Sequence, residues 1–250
     1  MDTVTSRRDA LVRRFRQLCR DRAFRREQGE FICDGTKLLA EALSAGAAVS
    51  AVLLRESGAR PDLSALKNVS AAVLSDDVFT WVSPLENSTG PLFSVKIEPR
   101  SARSPKKVIV LENLQDPGNV GTVLRTAAAL GIDLVILTGE CADPYNPKTV
   151  RSAMGALFRQ PFAEMPLSGL KAALDRWGLP LYGAALAPGA RDVRTLRLAP
   201  AALAVGNEGH GLSEELLALC GETIIIPMTP GSESLNAAVA ASILMWETAR

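Results

Sequence analysis

One histidine and four cysteines in 250 residues leave little with which to hold a transition metal. Cys19, Cys33, Cys141 and Cys220 lie far apart, no Cys-x-x-Cys occurs, and His210 stands alone. Neither a zinc site nor a disulfide framework is expected, and buried or incidental thiols are the plain reading. No apolar run approaches the roughly 18 residues that a membrane-crossing helix requires, and the basic, polar N-terminus lacks the apolar stretch of a signal peptide. No membrane partner is expected, and cytoplasm is the default location. Neither Gly-x-x-x-x-Gly-Lys-Ser/Thr nor Gly-x-Gly-x-x-Gly is present, which removes the usual nucleoside-triphosphate and nicotinamide loops.

What is present is an ordinary globular composition, 47% hydrophobic and 22% charged, in a chain long enough for one large or two modest domains. A net charge of +1 conceals an asymmetry: residues 1–107 carry 18 basic against 13 acidic side chains, and residues 108–250 carry 10 against 14. The basic half is the candidate for a polyanionic partner. In its first 26 residues Arg7, Arg8, Arg13, Arg14, Arg16, Arg20, Arg22, Arg25 and Arg26 face only Asp2, Asp9 and Asp21. The guanidinium fork matches phosphate oxygens and stays charged, so this run suits nucleic-acid phosphates; a solvated helix face is the alternative.

Two domains are expected, joined near residue 100. The segment Glu98-Pro-Arg-Ser-Ala-Arg-Ser-Pro-Lys-Lys107 is polar, holds two prolines and separates two hydrophobic regions, and residues 101–106 are taken as the linker. Residues 1–100 read as a small α/β unit. Leu11, Phe15 and Leu18 recur at helical spacing, Phe31–Cys33, Ala51–Leu54 and Ala71–Leu74 are short strands, and helices are expected over Thr36–Ala45 and from Asp76 to Trp81. Residues 107–250 alternate strand and helix. Strands are expected at Val108–Leu111, Leu134–Leu137, Leu181–Ala184, Ala202–Val205 and Thr223–Ile226, with helices near 120–130, 147–157 and 167–177. Strands this uniformly apolar are buried on both faces, as in a parallel, doubly wound sheet. The last helix, Leu235–Ala249, is apolar nearly all round and belongs in a core or an interface.

Three segments interrupt this apolar pattern with glycines and polar residues: Asn119-Val-Gly-Thr-Val-Leu-Arg125, Gly206-Asn-Glu-Gly-His-Gly-Leu-Ser213 and Ile226-Pro-Met-Thr-Pro-Gly-Ser-Glu-Ser-Leu-Asn-Ala237. In this order and spacing they resemble the three motifs of the SpoU (TrmH-type) RNA ribose methyltransferases, of the knotted SPOUT class. The resemblance covers most of residues 107–250. In addition, Gly29-Glu-Phe-Ile-Cys-Asp-Gly35 followed by Leu38-Leu-Ala-Glu-Ala-Leu43 is similar to the N-terminal substrate-binding domain of such enzymes, which is L30e-like. The resemblance implies an α/β fold with a C-terminal deep trefoil knot, which general topology rules would not suggest. It also implies S-adenosylmethionine as cofactor, a homodimer whose sites draw on both subunits, and RNA as substrate. The domain related to a ribosomal protein favours ribosomal RNA, with transfer RNA second. A non-catalytic RNA-binding or ribosome-assembly factor, and a small-molecule methyltransferase, are the other classes.

Carried over residue by residue, the resemblance makes Asn119, Arg125, Glu208, Ser234 and Asn236 the catalytic set. It makes Gly206, Ile226 and Leu235 the positions that hold the adenosine, largely through backbone groups. Arg125 reads mainly as an aligner of hydroxyl and phosphate, since a guanidinium stays protonated up to about pH 12, with base catalysis as the other variant; a surface salt bridge is its bland alternative. Glu208 is expected to orient Arg125 or Asn236. Ser234 fits an N-cap as well as a catalytic role. His210 reads as a loop residue, and no metal is required. Aromatics make up only 5% of the chain, which argues against extensive stacking on single-stranded bases and for recognition by backbone and shape.

Overall fold

The computed structural model describes residues 3–66, 69–98, 100–229, 231 and 234–249. Pro230, Ser232 and Glu233 of the third segment, Pro99 of the linker region and Asp2 beside the arginine run lie outside the described residues. Two compact units form: Met1–Glu98 with Asp143–Phe158, and Pro99–Ala142 with Arg159–Arg250. Along the chain they interleave.

The first unit contains β1 (Thr3–Val4), α1 (Ala10–Arg20), α2 (Arg22–Gln28), β2 (Glu30–Asp34), α3 (Thr36–Ser44), β3 (Val49–Arg55), β4 (Ser70–Leu74), α4 (Asp76–Val82) and β5 (Leu92–Lys96). Its mixed sheet runs β1-β4-β3-β5-β2. Asp9 starts α1 by accepting from the backbone N–H groups of Leu11 and Val12, and Val12, Phe15, Leu18 and Cys19 turn inward at helical spacing. Asp21 then caps α2 by accepting from the Phe24 N–H, so the arginine-rich stretch is two helices rather than one. Burial pushes the Cys19 thiol up to about 12, which keeps it protonated and unreactive.

This break disperses the arginines. Arg25 is 3% exposed. Its Nη2 and Nε donate to Asp143 Oδ2 at 2.6 and 3.1 Å, and its Nη1 donates to the Leu18 carbonyl at 2.8 Å. Arg25 is therefore corrected from a phosphate contact to a buried strut. Arg14 reaches the buried carboxylate of Glu30, which Lys96 also engages. Burial alone would raise the Glu30 carboxyl, but the Lys96 hydrogen bond and the Arg14 charge outweigh it and hold the group below its ordinary value. Arg7 and Arg16 lie over the Trp81 ring, 5.6 and 4.7 Å from its centre. Arg8, Arg13, Arg20, Arg22 and Arg26 are exposed.

The remainder of the first unit comes from far along the chain. Asp143–Phe158 carries α6 (Pro147–Ala153) and a 3-10 turn at Met154–Phe158. Asp143 Oδ1 accepts from the Tyr145 N–H, and the Thr149 hydroxyl donates to the Asp143 carbonyl. Phe31 of β2 packs against Tyr145 and Phe158, with ring centres 5.0 and 6.3 Å away. The helix expected near 147–157 is thus present but packs within the first unit instead of covering the parallel sheet.

The second unit contains β6 (Lys107–Glu112), α5 (Pro117–Leu130), β7 (Leu134–Thr138), β8 (Phe162–Glu164), α7 (Leu167–Trp177), β9 (Leu181–Ala184), β10 (Arg191–Asp192), β11 (Ala201–Val205), α8 (Glu214–Leu219), β12 (Glu222–Ile225) and α9 (Ala237–Glu247). Its seven strands run β10-β12-β9-β11-β6-β7-β8 and all pair in parallel. The apolar runs of β6, β7 and β11 are buried, as a sheet covered on both faces requires. β6, first of these strands in sequence, lies between β11 and β7. The crevice at the carboxyl ends beside such a strand is where open parallel sheets hold ligands. Among the described residues no helix is long and apolar enough to cross a membrane.

Removing one partner of a buried ion pair strands the other charge, at a cost of about 3–5 kcal/mol. Arg25→Ala is expected to lower the unfolding free energy, and with it the denaturant midpoint, accordingly, whereas exposed Arg13→Ala changes that free energy by less than about 0.5 kcal/mol. Equal midpoints in urea titrations of the two variants would remove the strut.

Candidate functional site

Three loops meet at the carboxyl ends of β6 and β11. After β6, Asp116 caps α5 by accepting from the Asn119 N–H at 2.8 Å, and Pro117 occupies the first turn, where its missing N–H costs nothing. Asn119 is therefore delivered on the first turn of α5. After β11, the chain folds back on itself: Asn207 and Gly211 exchange backbone hydrogen bonds, and the Asn207 side chain accepts from the Gly209 N–H. A Cβ at Gly206 would collide with the carbonyl of Gly211, so this closure requires glycine. Glu208, Gly209 and His210 are left exposed at the tip. Before α9, Asn236 caps the helix by accepting from the Ala238 and Val239 N–H groups at 3.0 and 3.2 Å.

These three positions form one directed chain of hydrogen bonds. Asn236 Nδ2 donates to Asn119 Oδ1 at 3.1 Å, and Asn119 Nδ2 donates to Glu208 Oε1. Residues 89 and 117 positions apart in sequence are thereby joined. The expectation that Glu208 orients Arg125 or Asn236 directly is corrected, because its partner is Asn119. The N-cap expected of Ser234 is likewise supplied by Asn236, and Ser234 is exposed. Arg125, also exposed, makes no hydrogen bond or ion pair with any described residue. A helix advances about 1.5 Å per residue, so Arg125 lies roughly 9 Å along α5 from Asn119.

The positions expected to hold an adenosine share the same edge. Gly206 follows β11 and Ile226 follows β12, strands that flank β9, while half-buried Leu235 adjoins the Asn236 cap. Leu186, two residues beyond β9, is 63% exposed, so this edge carries apolar surface between the two strand ends. Alongside, α5 and α9 border a groove of about 370 Å³ lined by Asn119, Thr122, Val239, Ile243 and Trp246 among others. Val239 and Trp246 are 47% and 59% exposed.

Sequence reasoning did not single out the residues that fix these loops. Buried Glu112, ending β6, accepts from both the N–H and the hydroxyl of Ser213 at 2.7 and 2.6 Å. Asn207 Nδ2 donates to the Asn113 carbonyl at 3.1 Å. A lone acid closing the apolar run 108–111 was the available signal.

The SpoU rRNA Methylase family model matches residues 106–246, and that of the MRM3-like substrate binding domain matches residues 9–92. The chain is 34% identical over 223 residues to the 23S rRNA (guanosine(2553)-2′-O)-methyltransferase RlmP of Bacillus subtilis, covering 89% of each protein. The crystal structure of AdoMet-bound rRNA methyltransferase from Sinorhizobium meliloti superposes with a TM-score of 0.85 at 27% identity, over 99% of this chain and 97% of that one. The SpoU methyltransferase AviRb from Streptomyces viridochromogenes, in complex with AdoMet, superposes with a TM-score of 0.86 at 27% identity, over 97% of both chains.

Proposed function

Because the chain belongs to the SpoU rRNA Methylase family, we propose that it transfers a methyl group from S-adenosylmethionine to a ribose 2′-hydroxyl of structured RNA, ribosomal RNA ahead of transfer RNA. The observation that carries this reading is the hydrogen-bond chain from the α9 cap through Asn119 to Glu208, which holds a carboxylate at the carboxyl edge of a parallel sheet. The cofactor, when bound, supplies an electrophilic methyl group on a sulfonium. Gly206, Ile226 and Leu235 hold its adenosine, and the apolar character of Ile226, Leu235 and the nearby Leu186 fits a purine ring. Glu208 accepts a hydrogen bond from the hydroxyl, directs its oxygen, and passes to solvent the proton that the oxygen loses on methylation. Asn119 and Asn236 keep that carboxylate in one orientation, and Ser234 adds a hydroxyl at the rim. Arg125, permanently charged, aligns the neighbouring phosphate and 2′-oxygen. The knotted path of the C-terminal segment belongs to the same reading.

Residues 1–100 serve in this proposal as the RNA-binding domain, 101–106 as linker and 107–250 as the methyltransferase domain, whose segment Asp143–Phe158 packs with the first unit. Arg8, Arg13, Arg20, Arg22 and Arg26 offer exposed charge to phosphates, joined by exposed Arg7 and half-buried Arg14 and Arg16. The apolar stripe of exposed Val239 and Trp246, with half-buried Ile243 between them, fits a second copy of the chain, giving a homodimer through α5 and α9. A cytoplasmic location belongs to the same proposal.

Labelled S-adenosylmethionine incubated with separate ribosomal and transfer RNA pools tests the activity, with label expected at a single ribosomal ribose. Arg125→Ala lowers that transfer at least tenfold while calorimetric affinity for the cofactor stays at the unaltered value; undiminished transfer removes Arg125 from the mechanism, and absence of cofactor heat in the unaltered protein points to a non-catalytic binder. Replacing Arg13 and Arg20 together by Ala weakens RNA binding and flattens its dependence on salt by about two phosphate contacts, and an unchanged slope leaves those residues as a solvated face. Sedimentation velocity gives a dimer for the unaltered protein and a monomer for Trp246→Glu, and a dimer for both moves the interface elsewhere.

A further inference from the structure

A second cavity, of about 410 Å³, opens at the carboxyl ends of β6, β7 and β11, lined by Asn113, Gln115, Glu140, Asn207, His210 and Ser213 among others. Its size lies within the roughly 300–1,000 Å³ of small-molecule pockets. The walls are fixed. Asn113 adopts a positive φ of 54°, its Oδ1 accepts from the Glu140 N–H at 2.7 Å, and its carbonyl accepts from Asn207 Nδ2. Gly139 packs so closely on the Asn113 side chain that a Cβ there would collide with it. Ser213 is held by buried Glu112. The groups facing outward are not fixed. The Gln115 carboxamide, the Glu140 carboxylate and the His210 imidazole are exposed and have no hydrogen-bond partner among the described residues.

We propose that this cavity receives the base of the nucleotide whose ribose is methylated, an inference that rests on the ribose-methylation reading above. The cavity and the hydrogen-bond chain share both loops: Gln115 precedes Asn119 by four residues and His210 follows Glu208 by two. A ribose held at Glu208 carries its base on the adjoining carbon, so the base must be lodged within a few ångströms, and an unstacked base needs polar partners for its edge. The unpartnered groups supply them. A carboxamide both donates and accepts, a carboxylate accepts from an exocyclic amine or ring N–H, and an imidazole offers a flat face as well as a polar edge. A phosphate does not fit, because no Lys or Arg lines the cavity and a carboxylate does. The cofactor's adenosine does not fit either, because Gly206, Ile226 and Leu235 are not among the lining residues.

The test is a double-mutant cycle between protein and RNA. Synthetic RNAs spanning the mapped target carry either the natural nucleotide or an abasic ribose with its 2′-hydroxyl intact, and each is assayed with the unaltered protein, Gln115→Ala and Glu140→Ala. The unaltered protein is expected to lose at least tenfold in kcat/KM on the abasic RNA. Each variant is expected to lose at least fivefold on the natural RNA and nothing further on the abasic one, with calorimetric S-adenosylmethionine affinity unchanged. Equal transfer to both RNAs by the unaltered protein, or a variant loss of the same factor on both, or no variant loss on either, overturns the pocket alone. Failure of the unaltered protein to methylate any RNA ends the ribose-methylation reading and the pocket with it.

Discussion

The parallel pairing of β11 with β6, in register from Ala201 against Lys107 to Val205 against Leu111, is the constraint on which the site depends. Nearly a hundred residues separate the two strands, yet their pairing sets the loop after Leu111 beside the loop after Val205. Without that register Glu112 would not meet Ser213, nor Asn207 the Asn113 carbonyl. A slip of one residue would exchange the side chains that the slipped strand packs on its two covered faces, so close packing of the core helps to hold the alignment of the polar loops.

Rigidity and availability are divided between neighbouring residues in those loops. The Asn207–Gly211 closure, the glycine at 206 and the buried Glu112 use up the polar groups nearest the sheet. Further out, Glu208, His210, Gln115 and Glu140 project as exposed side chains from or beside this hydrogen-bonded frame. A group held on ordered backbone loses little further entropy on meeting a ligand, which is the physical benefit of a hydrogen-bonded frame beneath an open rim.

The regular elements were legible in the sequence because their signals are local. The helix at 167–177 and the strand at 181–184 match at both ends, and the apolar runs of β6, β7 and β11 announce a covered sheet. β8, β10 and α8 are too short to show a period, and they were missed. The arginine run shows the deeper limit. Arg20 and Arg25 look alike in sequence, and what separates them is Asp143, 118 residues from Arg25, whose carboxylate no periodicity connects to α2. Likewise the three motifs placed Asn119, Glu208 and Asn236 in one site, but their pairing required the capping geometry of α5 and α9.

That geometry also decides what position 208 must do. The α9 N–H groups claim Asn236 Oδ1, which leaves only its Nδ2 for Asn119; Asn119 then offers Oδ1 to Asn236 and Nδ2 to Glu208. Each amide is fixed in orientation by the one before it, and the last member has to accept. A carboxylate meets that demand with one oxygen and keeps the other as an acceptor for an incoming donor. A hydroxyl is such a donor, whereas a phosphate oxygen is not. The direction of hydrogen bonding from the helix terminus outward therefore favours a ligand that presents a donor at this point, as the ribose hydroxyl of the proposed reaction does, and in that proposal the charge of the neighbouring phosphate falls to Arg125 farther along α5.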